Sequence, residues 1–297
     1  MSVSFAVIQV FQGRNWFTLY NKVVLIAVDY LVYKILLPAL IVISIIYITL
    51  LTLVYVLQSS FIFYPEKLEK NFVYEFRERF EERNYKVGSN NINALLFKVK
   101  NPKGVILYFH GNAGSLRSWG SIFSDFSSLG YDMLIYDYHG YGKSTGRVSE
   151  KKLYQTAQYL YQQLKKEYTA KKVILYGRSI GSAIAAKIAS ENSVSLTILE
   201  SPYYSMGLLA ATYYPWVPRF SLRFKLDTCK YLQKSASQVV LFHGTSDEVI
   251  AFEHSLKLVD CLTTKPILYA IQAAGHNNLN QFPEYHTALK KIFQNLD

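Results

Sequence analysis

"YGRSIGS", Tyr176–Ser182, is the stretch on which the reading of this chain turns. Its centre, Gly177-Arg178-Ser179-Ile180-Gly181, matches G-x-S-x-G, a motif that needs a strand before it and a helix after it. Both are present. "KVILYG" (172–177) is an unbroken apolar run, and "SAIAAKIASE" (182–191) is rich in small helix formers. A sharp strand-to-helix turn leaves no room for side chains two residues either side of its apex. Gly177 and Gly181 meet that demand and lift Ser179 off the sheet. The bland alternative is a serine capping a helix in a glycine-rich turn, and the fit of motif to context argues against it.

Runs like the one before Ser179 recur along the chain. "INALLFKV" (92–99), "GVILYFHG" (104–111), "DMLIYDYHG" (132–140), "SLTILES" (195–201), "VVLFHG" (239–244) and "PILYAI" (266–271) read as strands, most of them buried on both faces. Helical patterns at 149–168, 252–262 and 285–296 lie between or after them, the first with Ser149 as N-cap. Alternating strands and helices predict an α/β fold with a mostly parallel sheet covered by helices on both faces. In such sheets chemistry gathers at the carboxyl ends of strands.

A serine nucleophile needs a base, and the base needs an orienting acid. In this architecture the chain order is serine, acid, histidine. Asp247, in "HGTSDEVI", follows a strand downstream of Ser179, and His276, in "AAGHNNL", follows the last strand. Of the six histidines, His110, His139 and His243 lie at strand ends, and His254 and His286 lie within expected helices. Glu248 and Glu200 compete for the acid, and chain order favours Asp247. The oxyanion formed on attack needs backbone donors. Ile180 N–H, next after the nucleophile, and Asn112 N–H, in "HGNAG", are the candidates. His110 reads as a structural residue. "YDYHGYGKSTG" (136–146) lacks the first glycine of a phosphate-binding loop, with Asp137 in its place. It reads as a loop packed under the site, with Asp137 holding backbone amides.

The 297 residues suit one large domain or two modest ones, and 51% apolar with 18% charged residues argue against disorder. The net charge of +11 suits an anionic partner. Without a nucleic-acid motif, a membrane surface is favoured over nucleic acid. "ILLPALIVISIIYITLLTLVYVL" (35–57) carries no charge and as a helix would span roughly 34 Å, enough for a hydrocarbon core. It predicts a single-pass transmembrane helix. Residues 1–34 precede it, and "KVVLIAVDYLVYK" (22–34) reads either as an interfacial helix or as an extension of the anchor. Residues 58–84 read as a charged linker and 85–297 as the α/β domain. Lysines flank both ends of the apolar run, so charge does not orient it. The two cysteines, Cys229 and Cys261, are too few for a disulfide framework or a zinc site. "YYSMGLLAATYYPWVPRFSLRFK" (203–225) interleaves aromatic and basic residues between two strands. The segment 203–227 reads either as a cap or lid that admits lipid-like acyl chains or as a solvated helix-loop packed on the domain.

Together, "YFHGNAGS", "YDYHGYGKSTG", "GRSIGSAIA", "ESPYYS", "HGTSDEVI" and "GHNN" resemble the α/β-hydrolase superfamily in order and interval. The anchor and core together resemble its single-pass, membrane-anchored α/β-hydrolase-domain proteins, a group that includes the bud-emergence suppressor. The resemblance implies a serine hydrolase of the esterase, lipase or thioesterase type, acting on acyl esters or thioesters with no cofactor and with Ser179, Asp247 and His276 as triad. It implies a catalytic domain across the membrane from the N-terminus. Two departures stand out. His139 takes the place of a usual arginine. The depalmitoylating relatives carry an N-terminal cysteine cluster, whereas this chain has no cysteine before Cys229, which counts against that specific activity. A catalytically silent scaffold and an acyltransferase are the alternatives on the same fold. Substrate, organelle and oligomeric state are left open.

Overall fold

The computed structural model describes residues 16–168, 172–194 and 196–296. The first fifteen residues of the expected N-terminal segment 1–34, and Ser195 at the head of an expected strand, lie outside them. The chain divides into two compact units, up to Val56 and from Leu57 onward.

The described residues of the first unit are helical. Helix α1 (Trp16–Asp29) runs through a π-helical turn (Tyr30–Leu36) into α2 (Leu37–Ile62). The π turn sits just before Pro38, whose missing N–H and bulky ring disturb an α-helical ladder. Residues 22–34 are helical and continuous with the apolar helix. The whole stretch Trp16–Ile62 is 47 residues long, and its most apolar 18-residue window has mean hydropathy 2.7 and is not buried. It is long and apolar enough to cross a membrane.

The second unit is built on ten strands among the described residues: β1 (Tyr64–Pro65), β2 (Phe80–Val87), β3 (Asn90–Phe97), β4 (Val105–Phe109), β5 (Ala113–Gly114), β6 (Asp132–Tyr136), β7 (Val173–Arg178), β8 (Leu196–Glu200), β9 (Gln238–Gly244) and β10 (Ile267–Ile271). Eight form one sheet in the order β10-β9-β8-β7-β4-β6-β3-β2. Pairs β2/β3 and β3/β6 are antiparallel, and the rest are parallel. The short strands β1 and β5 pair separately.

Helices α3 (Leu116–Trp119), α4 (Glu150–Glu167), α5 (Gly181–Glu191), α6 (Met206–Tyr213), α7 (Thr228–Leu232), α8 (Glu253–Cys261) and α9 (Pro283–Gln294) complete the unit. Ser149 caps α4, its hydroxyl accepting from Lys152 N–H. Strand β4 shows why its run is apolar at every residue. Val105, Leu107 and Phe109 pack toward α4 and α5, while Ile106 and Tyr108 pack toward α9. Successive side chains point to opposite faces, and helices cover both.

Residues 58–84 carry more structure than a linker. Gln58 and Phe63 are buried, α2 continues to Ile62, and β2 starts at Phe80. Cys229 of α7 and Cys261 of α8 are joined by a disulfide, with Cα atoms 6.4 Å apart.

Candidate active site

The sheet order reverses beside β4: β6 lies on one side of it and β7 on the other. The loop after β4 and the turn after β7 are therefore neighbours at the carboxyl edge, the topological switch point. Ser179 sits in the turn between β7 and α5 with φ +52°, a left-handed conformation that costs a non-glycine residue energy. The flanking glycines are sterically required. A Cβ on Gly181 would run into the Phe109 carbonyl of β4, and one on Gly177 would lie 2.5 Å from the Gly181 carbonyl oxygen. Ser179 N–H donates to Glu200 O at 2.9 Å, which pins the turn to β8.

His276, in the loop after β10, places Nε2 3.1 Å from Ser179 Oγ. Its Nδ1 lies 2.8 Å from Asp247 Oδ2. A nitrogen facing a carboxylate carries the proton, so Nε2 is free to accept from the serine. Asp247, in the loop after β9, also accepts from Val249 N–H at 2.9 Å and Ile250 N–H at 2.7 Å through Oδ1. Burial pushes its carboxyl up. Hydrogen bonds from His243 and His276, with the electrostatic pull of the His276 ring, outweigh that and hold it below the usual carboxylate range. The carboxylate is thus an ionised acceptor for the imidazole.

The loop after β4 passes directly over the nucleophile, for a Cβ on Gly111 would lie 3.9 Å from Ser179 Cβ. His110 Nδ1 lies 2.7 Å from Gly111 O, and a ring nitrogen facing a carbonyl is the donor. That contact orients the peptide whose other end is Asn112 N–H. Ile180 N–H stands at the start of α5. Neither N–H has a hydrogen-bond partner among the described residues.

Three residues outside the expected set hold Ser179, His276 and Asp247 in this arrangement. Arg178, the x of the motif, pairs through Nε with Glu200 Oε1 at 3.0 Å. Its Nη2 donates to His276 O at 3.3 Å and Asn277 Oδ1 at 3.1 Å, and its guanidinium lies 5.1 Å from the Trp119 ring centre. Glu248 accepts from His276 N–H at 3.3 Å, so the histidine backbone is held on both sides. His243 Nε2 faces Ile250 O at 2.7 Å and Asp247 Oδ2 at 3.2 Å, both acceptors, so it donates to both. The rivals for the acid therefore have other roles: Glu200 anchors Arg178, and Glu248 holds the His276 backbone.

Asp137 accepts from Leu116 N–H at 3.0 Å. Burial drives its carboxyl well above the usual range. The loop 136–146 packs tightly around it, and a Cβ on Gly142 would collide with its carboxyl. His139 is buried, and burial followed by the Lys152 charge brings its imidazole down from 6.5 to about 4. It is therefore neutral and does not replace an arginine charge. Among the described residues no group of three or more His, Cys, Asp and Glu side chains could hold a metal ion.

The segment 203–227 carries α6 and a 3-10 turn (Arg219–Ser221). Met206 N–H closes its base onto Lys225 O and Leu226 O, each at 3.3 Å. Tyr213 OH donates to Val249 O at 2.7 Å, touching the Asp247 loop. Tyr213, Tyr214, Trp216 and Phe220 are exposed, Phe220 to 85%.

A family model described as "Serine aminopeptidase, S33" matches residues 100–235. The chain is similar to human α/β hydrolase domain-containing protein 17B, 32% identical over 196 residues, covering 65% of this chain and 67% of that protein. It is also similar to protein 17C of Xenopus tropicalis, 33% identical over 191 residues, covering 63% of this chain. The match spans 60% of that relative's length and 58% of the mouse 17C protein. Among solved structures, an esterase from Pyrococcus furiosus aligns with TM-score 0.64 and 16% identity, over 79% of this chain and 97% of the esterase. An α/β hydrolase from Vibrio vulnificus aligns with TM-score 0.58 and 22% identity, over 73% of this chain and 79% of its own. At these identities the structural matches speak to fold alone.

Proposed function

We propose, from the premise that the chain belongs to the α/β-hydrolase family, that it is a membrane-anchored serine hydrolase of carboxylic esters or thioesters. One observation carries the reading: the continuous relay from Ser179 Oγ through His276 to Asp247, at 3.1 and 2.8 Å.

The chemistry follows from that geometry. Ser179 Oγ attacks the acyl carbon as His276 Nε2 takes its proton. Asp247 keeps the imidazole in the required tautomer and stabilises its cationic form. The carbonyl oxygen becomes an oxyanion, which Ile180 N–H and Asn112 N–H are placed to receive. Collapse expels the alcohol or thiol, which takes the proton from His276. Water, deprotonated by the same nitrogen, then attacks the acyl-enzyme and releases the acid.

Anchoring is supported by the unbroken apolar helix, whose exposed side chains need a nonpolar solvent. A lipid-like acyl substrate is supported by the exposed aromatic residues of the 203–227 segment, interleaved with Arg219 and Arg223 in a chain of net charge +11. Carbonate-washed membranes carrying the full chain are expected to hydrolyse p-nitrophenyl butyrate. The Ser179→Ala membranes should be slower by at least about 10³-fold. Activity found in the wash contradicts the anchor, and equal turnover by the variant contradicts the hydrolase.

A further inference from the structure

The last turn of the apolar helix and the chain just after it, Gln58–Glu66, meet the two loops that would embrace a substrate. At the loop after β4, Asn112 Nδ2 donates to Ile62 O at 3.1 Å. Tyr64 N–H donates back to Asn112 O at 2.9 Å, and Glu66 N–H donates to Gly114 O at 2.9 Å. These bonds form the β1/β5 pair, with Tyr64 opposite Ala113 and Pro65 opposite Gly114. Ser115 Oγ donates to Glu66 Oε2 at 2.6 Å, and Arg117 forms an ion pair with Glu66. At the 203–227 segment, Gln58 Oε1 accepts from Arg223 N–H at 2.7 Å and Phe224 N–H at 3.1 Å. Phe63, 3% exposed, packs on Phe224 with ring centres 5.0 Å apart.

The loop is also tied by Tyr138 OH to His110 O at 2.7 Å, by Trp119 Nε1–H to Ala113 O at 2.7 Å and by Leu116 N–H to Asp137 Oδ1 at 3.0 Å, so Gln58–Glu66 adds to existing ties. After β4 it makes a tight turn around Gly111 and enters α3, only four residues long. An oxyanion donor must be placed to within a few tenths of an ångström before the substrate arrives. Asn112 O is held by Tyr64 N–H and by Tyr141 OH at 2.6 Å, and its side chain by Ile62 O. His110 Nδ1 holds the Gly111 end of the peptide that carries Asn112 N–H, and loss of the ties to Asn112 would release the Asn112 end of it.

We propose that Gln58–Glu66 is a positioning element of the active site. It fixes the Asn112 backbone for the oxyanion and seats the 203–227 segment at Phe224. Glu66 is the residue through which this is most readily removed, because its carboxylate ties Ser115 and Arg117 at the start of α3. Glu66 touches no reacting atom and acts through the loop. The catalytic consequence rests on the serine hydrolase reading, whereas the bracing of the loop does not.

The test uses the full chain in detergent micelles and compares wild type, Glu66→Ala and Glu66→Gln. Two readouts are taken, amide hydrogen exchange by mass spectrometry and steady-state turnover of p-nitrophenyl butyrate. Glu66→Ala is expected to exchange several-fold faster over residues 110–118 with no change over residues 173–178. Its kcat should fall about 10-fold with KM within about 2-fold and the pH profile unmoved, since His276 is not disturbed. Glu66→Gln keeps an acceptor for Ser115 Oγ and should recover most of the rate. Unchanged exchange over 110–118 overturns the proposal, as does unchanged kcat in a variant that exchanges faster there. Faster exchange throughout the sheet, with loss of rate, also overturns it, because Glu66 would then serve general stability. Wild type that turns over no ester defeats the hydrolase reading, and exchange alone then decides the bracing.

Discussion

Ser179 holds a left-handed backbone because its neighbours leave it no other, with β4 pressing on Gly181 and β8 accepting its N–H. His276, the proposed base, is held as firmly. Arg178 donates to the His276 carbonyl and Glu248 accepts from the His276 N–H. Arg178→Met is expected to release one side of that grip and lower kcat/KM about 10- to 100-fold, the range for a catalytic group displaced by about 1 Å. Arg178→Lys keeps the charge without the fork and should fall between the two. Steady-state kinetics on a p-nitrophenyl ester checks this, and wild-type kcat/KM in Arg178→Met would remove Arg178 from the account. The triad candidates were readable because motif and chain order name positions directly. Arg178 was in plain view inside the motif and still silent, since its role depends on Glu200, His276 and Trp119, far apart in the chain. Glu248 was weighed only as a rival acid. Its contact with the His276 backbone depends on how two loops meet.

At the scale of elements, strands buried on both faces were legible because burial demands apolar residues throughout. Val105–Phe109 and Val173–Arg178 fall inside their expected runs or within a residue of them. Strand β2 was not. "FEERNYKV" lies at the sheet edge with most residues exposed or half-buried, and its charges of both signs read as linker. The end of α2 was hidden for a related reason. Gln58 and Ser59 end the apolar run, so hydropathy stops at Leu57 while the helix goes on to Ile62. Gln58 is polar because it is buried against backbone N–H groups of the 203–227 segment, a contact no periodicity announces. Strands β1 and β5, two residues each, are too short for any pattern to mark them.

For the molecule as a whole, the alternation of elements implied a mostly parallel sheet, which the pairing shows. It did not imply that β4 lies between β6 and β7, yet that crossover brings the Ser179 turn beside the Asn112 loop. The meeting of Cys229 with Cys261 depends likewise on how α7 and α8 pack. Global stability carries a pH signature. Burial brings His110 and His139 down from 6.5 to about 4, and burial lowers His254 as well. Between pH 6.5 and 4 the unfolded chain binds protons at these histidines that the folded chain refuses, so they make stability rise with pH, while Asp137, whose buried carboxyl is raised, contributes in the opposite sense. Below it, Asp247, held under the usual carboxylate range, adds its own loss as it protonates. The melting temperature in detergent should therefore fall more between pH 6.5 and 4 in wild type than in His139→Gln, which keeps the Asp137 contribution, and equal slopes would show that His139 is not buried neutral. The central claim, that Ser179 is a nucleophile activated by His276, is tested most directly by mapping the adduct of a fluorophosphonate probe. The account predicts one phosphonylated residue, Ser179, in the native full chain, and no adduct in Ser179→Ala or after denaturation. A folded wild-type protein that stays unmodified, or an adduct on another residue, would contradict it.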